Sequence, residues 1–68
     1  MAKPNLSPRE LQVLHMIMDE MTSREIANDL SISPRTVETH RKNMIRKTGA
    51  RNFYGVVRTA IGRKWIRV

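Results

Sequence analysis

Polar side chains recur at helical spacing in the middle of the chain, and their types can hydrogen-bond to another molecule. They are Arg35, Glu38, Thr39, Lys42 and Arg46. The 38–42 and 42–46 pairs each lie one turn apart and would share one face of a helix. Lysine can donate to guanine N7 or O6, glutamate can accept from cytosine N4, and threonine can offer a methyl or hydroxyl group to a base. Lys42, Glu38 and Thr39 are therefore candidates for base contacts in the DNA major groove; a solvated face with a Glu38–Lys42 ion pair is the alternative.

A second group of residues has the chemistry to bind phosphate. Thr22 and Ser23 begin a predicted helix, and the N–H groups at a helix start attract anions. Thr36 stands near the start of the next helix and can act in the same way, while His40 is either a phosphate contact or a boundary residue. Positive charge comes from Arg35, Arg41, Arg46, Lys47 and Arg51. Such contacts would position the protein without reading the base sequence. For Arg46, Lys47 and Arg51, a freely solvated charge is an equally good interpretation.

The net charge of +7 is distributed unevenly along the 68 residues. All six acidic residues lie at or before Glu38, whereas positions 39–68 hold nine lysines and arginines and no acid. This asymmetry indicates a polyanionic partner, because lysine and arginine release counterions from a phosphate backbone. A solubilising basic face is the alternative interpretation.

The elements that must position these side chains are helices, and the first of them carries a capping signal. Ser7 can cap it, Pro8 suits its first position and Glu10 can close a capping box. We predict this helix over 8–20, with an apolar stripe of helical period. The stripe consists of Leu11, Leu14, Ile17, Met18 and Met21.

The second and third predicted helices are separated by a three-residue turn. Thr22 and Glu25 can form the capping box of a helix over 23–30, and Ser33 can cap a helix over 34–48. Two helices joined in this way suggest a helix-turn-helix. Their inward side contains Ile26, Ala27, Leu30, Ile32, Val37, Met44 and Ile45.

A fourth helix is predicted over 53–63, with Asn52 as its cap. Gly55 should weaken this helix by roughly 1 kcal/mol relative to alanine, so that packing must compensate. Trp65 and Ile66 should either fold back on the core or belong to a dimer contact. The apolar side of the helix would contain Phe53, Val56, Val57, Ala60 and Ile61.

These elements predict one all-α domain, a four-helix bundle that contains a helix-turn-helix and spans 1–68 with its core at 6–66. Other classes of protein are disfavoured. There is no cysteine, His15 and His40 lack partners at ligand or triad spacing, and there is no glycine-rich phosphate loop. We therefore expect no enzyme activity, cofactor, metal site or small-molecule site, and no apolar run approaches the roughly 18 residues that span a membrane.

With these residues identified, the chain resembles the LuxR/FixJ-type (GerE-like) helix-turn-helix DNA-binding domain over about 6–66. The positions that carry the resemblance are 6–10, 13–14, 24–27 with Leu30, 32–37, and 40–47 with Gly49. This combination is far more specific than helix-turn-helix spacing alone. From residue 48 onward the sequence looks most like the C-terminal output domain of a two-component response regulator.

The resemblance implies a DNA-binding regulator of transcription in the bacterial cytoplasm, on the nucleoid. Family members place their third helix in the major groove and read bases from the positions matching Glu38, Thr39, Lys42 and sometimes Arg35. The fourth helix, here 53–63, commonly forms the dimer contact on palindromic half-sites. Double-stranded DNA and a second copy of the chain are therefore the expected partners, with RNA polymerase as a further candidate.

The chain departs from the family pattern at four positions. Glu20 and Lys64 stand where glycine is common, so we expect altered chain paths after the first helix and in the tail. Gly55 replaces a better helix former, which predicts a weak dimer helix. Glu38 is acidic where many members carry a cation, and this should change the base preference.

Two other functions fit parts of the sequence. A promoter-reading domain of a sigma factor has a similar helix-turn-helix, although the fourth helix and the Lys47-Thr48-Gly49 ending argue against it. A protein-interaction module could keep the fold and lose DNA binding, although the basic region after Thr39 argues against that. Steep loss of DNA affinity with salt would favour the DNA-binding function.

Overall fold

Four α-helices account for most of residues 6–66, the part of the chain that the computed structural model describes. They are α1 (Pro8–Met18), α2 (Ser23–Leu30), α3 (Pro34–Thr48) and α4 (Phe53–Gly62), and this part contains no strand. The predicted all-α class is confirmed, as are both bounds of α2 and α3. The ends of the predicted 1–68 domain, residues 1–5 and 67–68, lie outside the described residues.

Each helix begins at the cap that the sequence predicted. The Oγ of Ser7 accepts from the backbone N–H of Glu10 at 3.1 Å, and the Glu10 carboxylate accepts in return from the N–H of Ser7 at 2.8 Å. Thr22 and Glu25 form the same reciprocal capping box at the start of α2. Ser33 and Asn52 cap α3 and α4. These side chains satisfy N–H groups that a helix start leaves without intrahelical acceptors.

The first and last helices end earlier than predicted, at Met18 rather than 20 and at Gly62 rather than 63. Glu20 has φ 65° and Lys64 has φ 60°, so both adopt the left-handed conformation that terminates a helix. This conformation costs a non-glycine residue roughly 1–2 kcal/mol of conformational free energy. Glu20 and Lys64, which stand where the family commonly has glycine, thus adopt the conformation that glycine takes with little strain.

The core lies where the inward sides of the four helices meet. Val13, absent from the predicted stripe of α1, is fully buried. Ile61 was predicted on the apolar side of α4, and this was wrong, since its side chain is 40% exposed. Ile66 is buried and Trp65 packs against the core, so these two residues fold back on the core, which is one of the two alternatives predicted. The buried apolar residues are Leu6, Val13, Leu14, Ile26, Ala27, Val37, Met44, Val56, Ala60 and Ile66.

Gly55 allows α4 to approach the loop that precedes it. A Cβ placed on this residue would lie 2.8 Å from the Cβ of Ala50, closer than real Cβ contacts. The glycine that weakens the isolated helix is therefore required by the packing of the folded domain. None of the helices in residues 6–66 is both long enough and apolar enough to cross a membrane.

Candidate nucleic-acid interface

A tight turn between α2 and α3 fixes how α3 is presented. Ser31 ends α2 in the left-handed conformation with φ 56°, and the N–H of Ile32 bonds to the carbonyl of Ala27 at 3.0 Å. Ile26, Ala27 and Val37 are buried beside this turn, each with no more than 2% exposure. Ala27 is 2% exposed, as its predicted inward position requires. The opposite side of α3 is left facing solvent.

The residues predicted to contact bases all lie on that solvent-facing side. Val37 and Met44 point into the core, which directs the remaining positions outward. The exposed set is Arg35, Glu38, Thr39, Lys42 and Arg46. The structure thus brings together the predicted base-reading residues on one face of one helix.

Glu38 contacts two side chains that the sequence did not reveal as its partners. The hydroxyl of Ser23, at the start of α2, donates to Glu38 Oε2. The guanidinium Nε of Arg41 lies 3.6 Å from Glu38 Oε1. The ion pair formed on this surface is therefore between Glu38 and Arg41, and the Glu38–Lys42 pair of the alternative interpretation is not found among residues 6–66.

Arg41 also contacts the start of α4. Its guanidinium carbon lies 4.5 Å from the ring centroid of Phe53, within cation–π range. The Arg41 side chain is 30% exposed. A single arginine therefore joins the surface of α3 to α4 while keeping part of its charge accessible.

The hydroxyl groups of α3 are mostly used inside the helix. Thr39 Oγ1 donates to the carbonyl of Arg35 at 3.1 Å. Because this bond uses the only hydroxyl proton, Thr39 is left with its methyl group and an acceptor lone pair for a partner. Thr36 Oγ1 lies 2.9 Å from Ser33 Oγ at the start of the helix.

The N-terminus of α2 offers backbone donors beside this surface. The carboxylate of Glu25 accepts from the N–H of Thr22 at 2.8 Å, and this bond lowers the pKa of the exposed Glu25 carboxyl. The N–H groups of Ser23 and Arg24 begin the helix and have no acceptor within residues 6–66. The hydroxyl of Ser23 is directed to Glu38, so its backbone is the group available for a phosphate.

Lys47, one of the predicted phosphate ligands, has an intramolecular partner that makes it less available to a phosphate. Its Nζ lies 2.8 Å from Oε1 of Glu10, a residue only 3% exposed at the start of α1. Burial alone would raise the pKa of the Glu10 carboxyl, but bonds from Lys47 and Ser7 and the nearby ammonium charge hold it below its ordinary value of 4.5. The pair is 37 positions apart, so nothing in the local sequence pattern could have revealed it.

The remaining predicted phosphate ligands are accessible to different degrees. Arg46 and Arg51 are exposed, and Arg46 Nη2 lies 3.4 Å from Asn43 Oδ1 within α3. His40 is half-buried at the margin of the helix, as predicted. Of the cations predicted to contact DNA, those that are exposed and form no ion pair within residues 6–66 are Arg35, Lys42, Arg46 and Arg51.

Several known proteins are similar in sequence to this chain. A family model described as bacterial regulatory proteins, luxR family, matches residues 4–60. The transcriptional regulatory protein FixJ of Rhizobium meliloti (strain 1021) is 46% identical over 56 residues, which cover 82% of this chain and 28% of that protein. The spore germination protein GerE of Bacillus subtilis (strain 168) is 38% identical over 50 residues, covering 74% of this chain and 68% of GerE. The transcriptional regulatory protein UhpA of Escherichia coli (strain K12) is 43% identical over 47 residues, covering 69% of this chain and 24% of UhpA.

An exposed, cation-rich helix presented by a helix-turn-helix defines a class of DNA-binding domain that regulates transcription. The chain belongs to the luxR family of bacterial regulatory proteins, as the resemblance predicted. It is accordingly a regulatory domain and not an enzyme. It spans well under half the length of FixJ and UhpA and about two thirds of that of GerE.

Proposed function

We propose that the domain recognises a specific sequence in double-stranded DNA by placing α3 in the major groove. The observation that carries this proposal is the single outward face of α3, on which Arg35, Glu38 and Lys42 are exposed beside a tight helix-turn-helix. Lys42 has no acceptor among residues 6–66 and can donate to guanine. Glu38 keeps lone pairs that can accept from cytosine N4, and Thr39 offers its methyl group to thymine.

Phosphate contacts on both sides of α3 would fix its orientation in the groove. We assign them to Thr22 and Ser23 through the start of α2, and to side chains that follow along α3 and the next loop. The second set is Thr36, His40, Arg41, Arg46, Lys47 and Arg51. Lys47 contributes least, because its ammonium already neutralises the buried Glu10 carboxylate.

The whole protein would be the regulator of which this is the output domain. FixJ and UhpA, by name transcriptional regulatory proteins, are several times longer than the matched segment. We propose that the chain serves as the C-terminal domain of a response regulator in the bacterial cytoplasm, on the nucleoid. RNA polymerase is the further partner that such a regulator would engage.

Replacing Lys42 with alanine tests the base-reading proposal directly. Affinity for the preferred duplex should fall by about 1–3 kcal/mol, and discrimination at one base pair should relax. The preferred duplex is obtained by selection from a randomised pool, and binding is followed by fluorescence anisotropy. Lys64→Ala is the matched control, since it removes the same charge from the turn after α4. Equal weakening on every duplex would contradict base reading by Lys42.

A dimer formed through α4 would place two copies of α3 on two half-sites. Tyr54 is 72% exposed and Ile61 is 40% exposed on this helix, which leaves apolar surface for a second copy. Two half-sites about 10 bp apart should then bind two domains cooperatively. Titration of duplexes that carry one or two half-sites measures this, and independent binding at every spacing would contradict the dimer.

A further inference from the structure

Glu38 is an exposed side chain whose two carboxylate oxygens both have protein partners. Oε2 accepts from the hydroxyl of Ser23, which lies 15 positions earlier, on α2. Oε1 lies 3.6 Å from Nε of Arg41, one turn further along α3. Arg41 is in turn placed over the ring of Phe53 at 4.5 Å. The carboxylate thus stands in a chain of contacts that joins α2, α3 and α4.

These contacts restrict a side chain that would otherwise be mobile. The Glu38 side chain is 51% exposed, and a free glutamate loses up to roughly 1.5–2 kcal/mol of rotamer entropy when it is fixed. Contacts made before DNA arrives reduce what remains to be lost on binding. A carboxylate has about four acceptor sites, so one hydrogen bond and one ion pair within the protein still leave room for an exocyclic amino group of a base.

We infer that Ser23 is a positioning residue for base recognition, because its hydroxyl orients the carboxylate of Glu38 toward the groove-facing side of α3. This inference rests on the proposed function of α3. It differs from the role of Ser23 as a phosphate ligand, since the hydroxyl is directed to Glu38 and only the backbone N–H is left for phosphate. Selectivity at the base that faces Glu38 therefore depends on a residue of a different helix.

A double-mutant cycle between the two residues tests the inference. The variants are Ser23→Ala, Glu38→Ala and the double substitution, each titrated with the selected duplex and with duplexes changed at one base pair. Ser23→Ala should reduce discrimination about three- to tenfold, the range of one hydrogen bond, at the same base pair that Glu38→Ala affects. In the Glu38→Ala background, Ser23→Ala should have no further effect on that discrimination.

Ser23→Thr provides the conservative control, because it keeps a hydroxyl at the first position of α2 and should restore discrimination. Thermal unfolding followed by circular dichroism shows that each variant is folded before it is titrated. Additive effects of the two alanine substitutions, or a loss spread equally over all duplexes, would overturn the inference and leave the proposed function standing. A wild-type domain without preference for any duplex in the pool would overturn both.

Discussion

At the scale of single residues, Glu10 shows how a buried charge is accommodated in a small domain. Its carboxylate closes the capping box of α1 and also forms an ion pair with the ammonium of Lys47, near the end of α3. A buried carboxylate is costly unless it is paired and hydrogen-bonded. Glu10 is both, and one side chain therefore secures a helix start and a contact between two helices.

Lys47→Ala should destabilise the domain by about 1–3 kcal/mol, because it leaves a buried carboxylate with only its cap partner. The lowered pKa of Glu10 gives the pH dependence. Its contribution to stability is complete above the unfolded pKa and is lost as pH falls through the lower folded pKa. In the variant, this loss on acidification should be smaller.

Urea unfolding of the wild type and of Lys47→Ala, at neutral pH and over an acidic series, measures both effects. Arg46→Ala is the matched control, since it removes a neighbouring charge that is exposed on the same helix. Equal stabilities for the two variants would show that the Glu10–Lys47 pair contributes nothing measurable.

At the scale of the elements, the junction between α3 and α4 depends on close backbone approach. Gly49 ends α3 with φ 72°, and the chain then brings Ala50 against Gly55 in the first turn of α4. Helix propensity alone predicts that alanine in place of Gly55 would stabilise α4. We expect the contact with Ala50 to outweigh that propensity.

Gly55→Ala should therefore destabilise the domain by about 1–3 kcal/mol through overpacking, rather than stabilise it by the roughly 1 kcal/mol that helix propensity predicts. Gly62→Ala is the control, because a Cβ there would meet nothing within 4 Å. The double variant Gly55→Ala/Ala50→Gly removes the clash and should recover part of the loss. Thermal unfolding compares the three, and a higher Tm for Gly55→Ala alone would contradict the packing argument.

The helix starts could be predicted from sequence because capping is local. Ser7, Thr22, Ser33 and Asn52 each act on an N–H group three residues away. The ends of α1 and α4 were missed because a non-glycine residue such as Glu20 adopts a left-handed conformation only when the surrounding fold requires it.

The outward face of α3 could likewise be predicted, because helical periodicity fixes which side chains share a side. The contacts that side chains make between different helices could not be predicted. The bonds from Ser23 to Glu38 and from Lys47 to Glu10 join different helices, and their formation depends on how those helices pack. Periodicity also placed Ile61 on the apolar side of α4, although this residue is 40% exposed.

At the scale of the whole molecule, electrostatics should govern affinity while a few side chains govern specificity. The net charge of +7 and the absence of acids after Glu38 give the later half of the chain a positive potential. Phosphate neutralisation releases counterions, so log K should fall linearly with log salt concentration at about −0.9 per phosphate contacted.

Arg51→Ala should reduce that salt slope by about one unit while leaving discrimination between duplexes unchanged. Arg51 is exposed in the loop before α4 and is not among the residues proposed to contact bases. Anisotropy titrations over roughly 50–200 mM salt measure both quantities. An unchanged slope would remove Arg51 from the phosphate set, and affinity that did not depend on salt at all would support an interaction module that has lost DNA binding.

The segment that folds back after α4 also gives the molecule an intrinsic fluorescent reporter. Trp65 is the single tryptophan of the sequence, half-buried against the core with the Arg63 guanidinium 5.7 Å from its ring centroid. Because α3 contains no tryptophan, indole emission should follow the docking of the segment after α4 rather than events on the exposed face of α3. Detachment of that segment can therefore be observed as a spectral change without any attached dye.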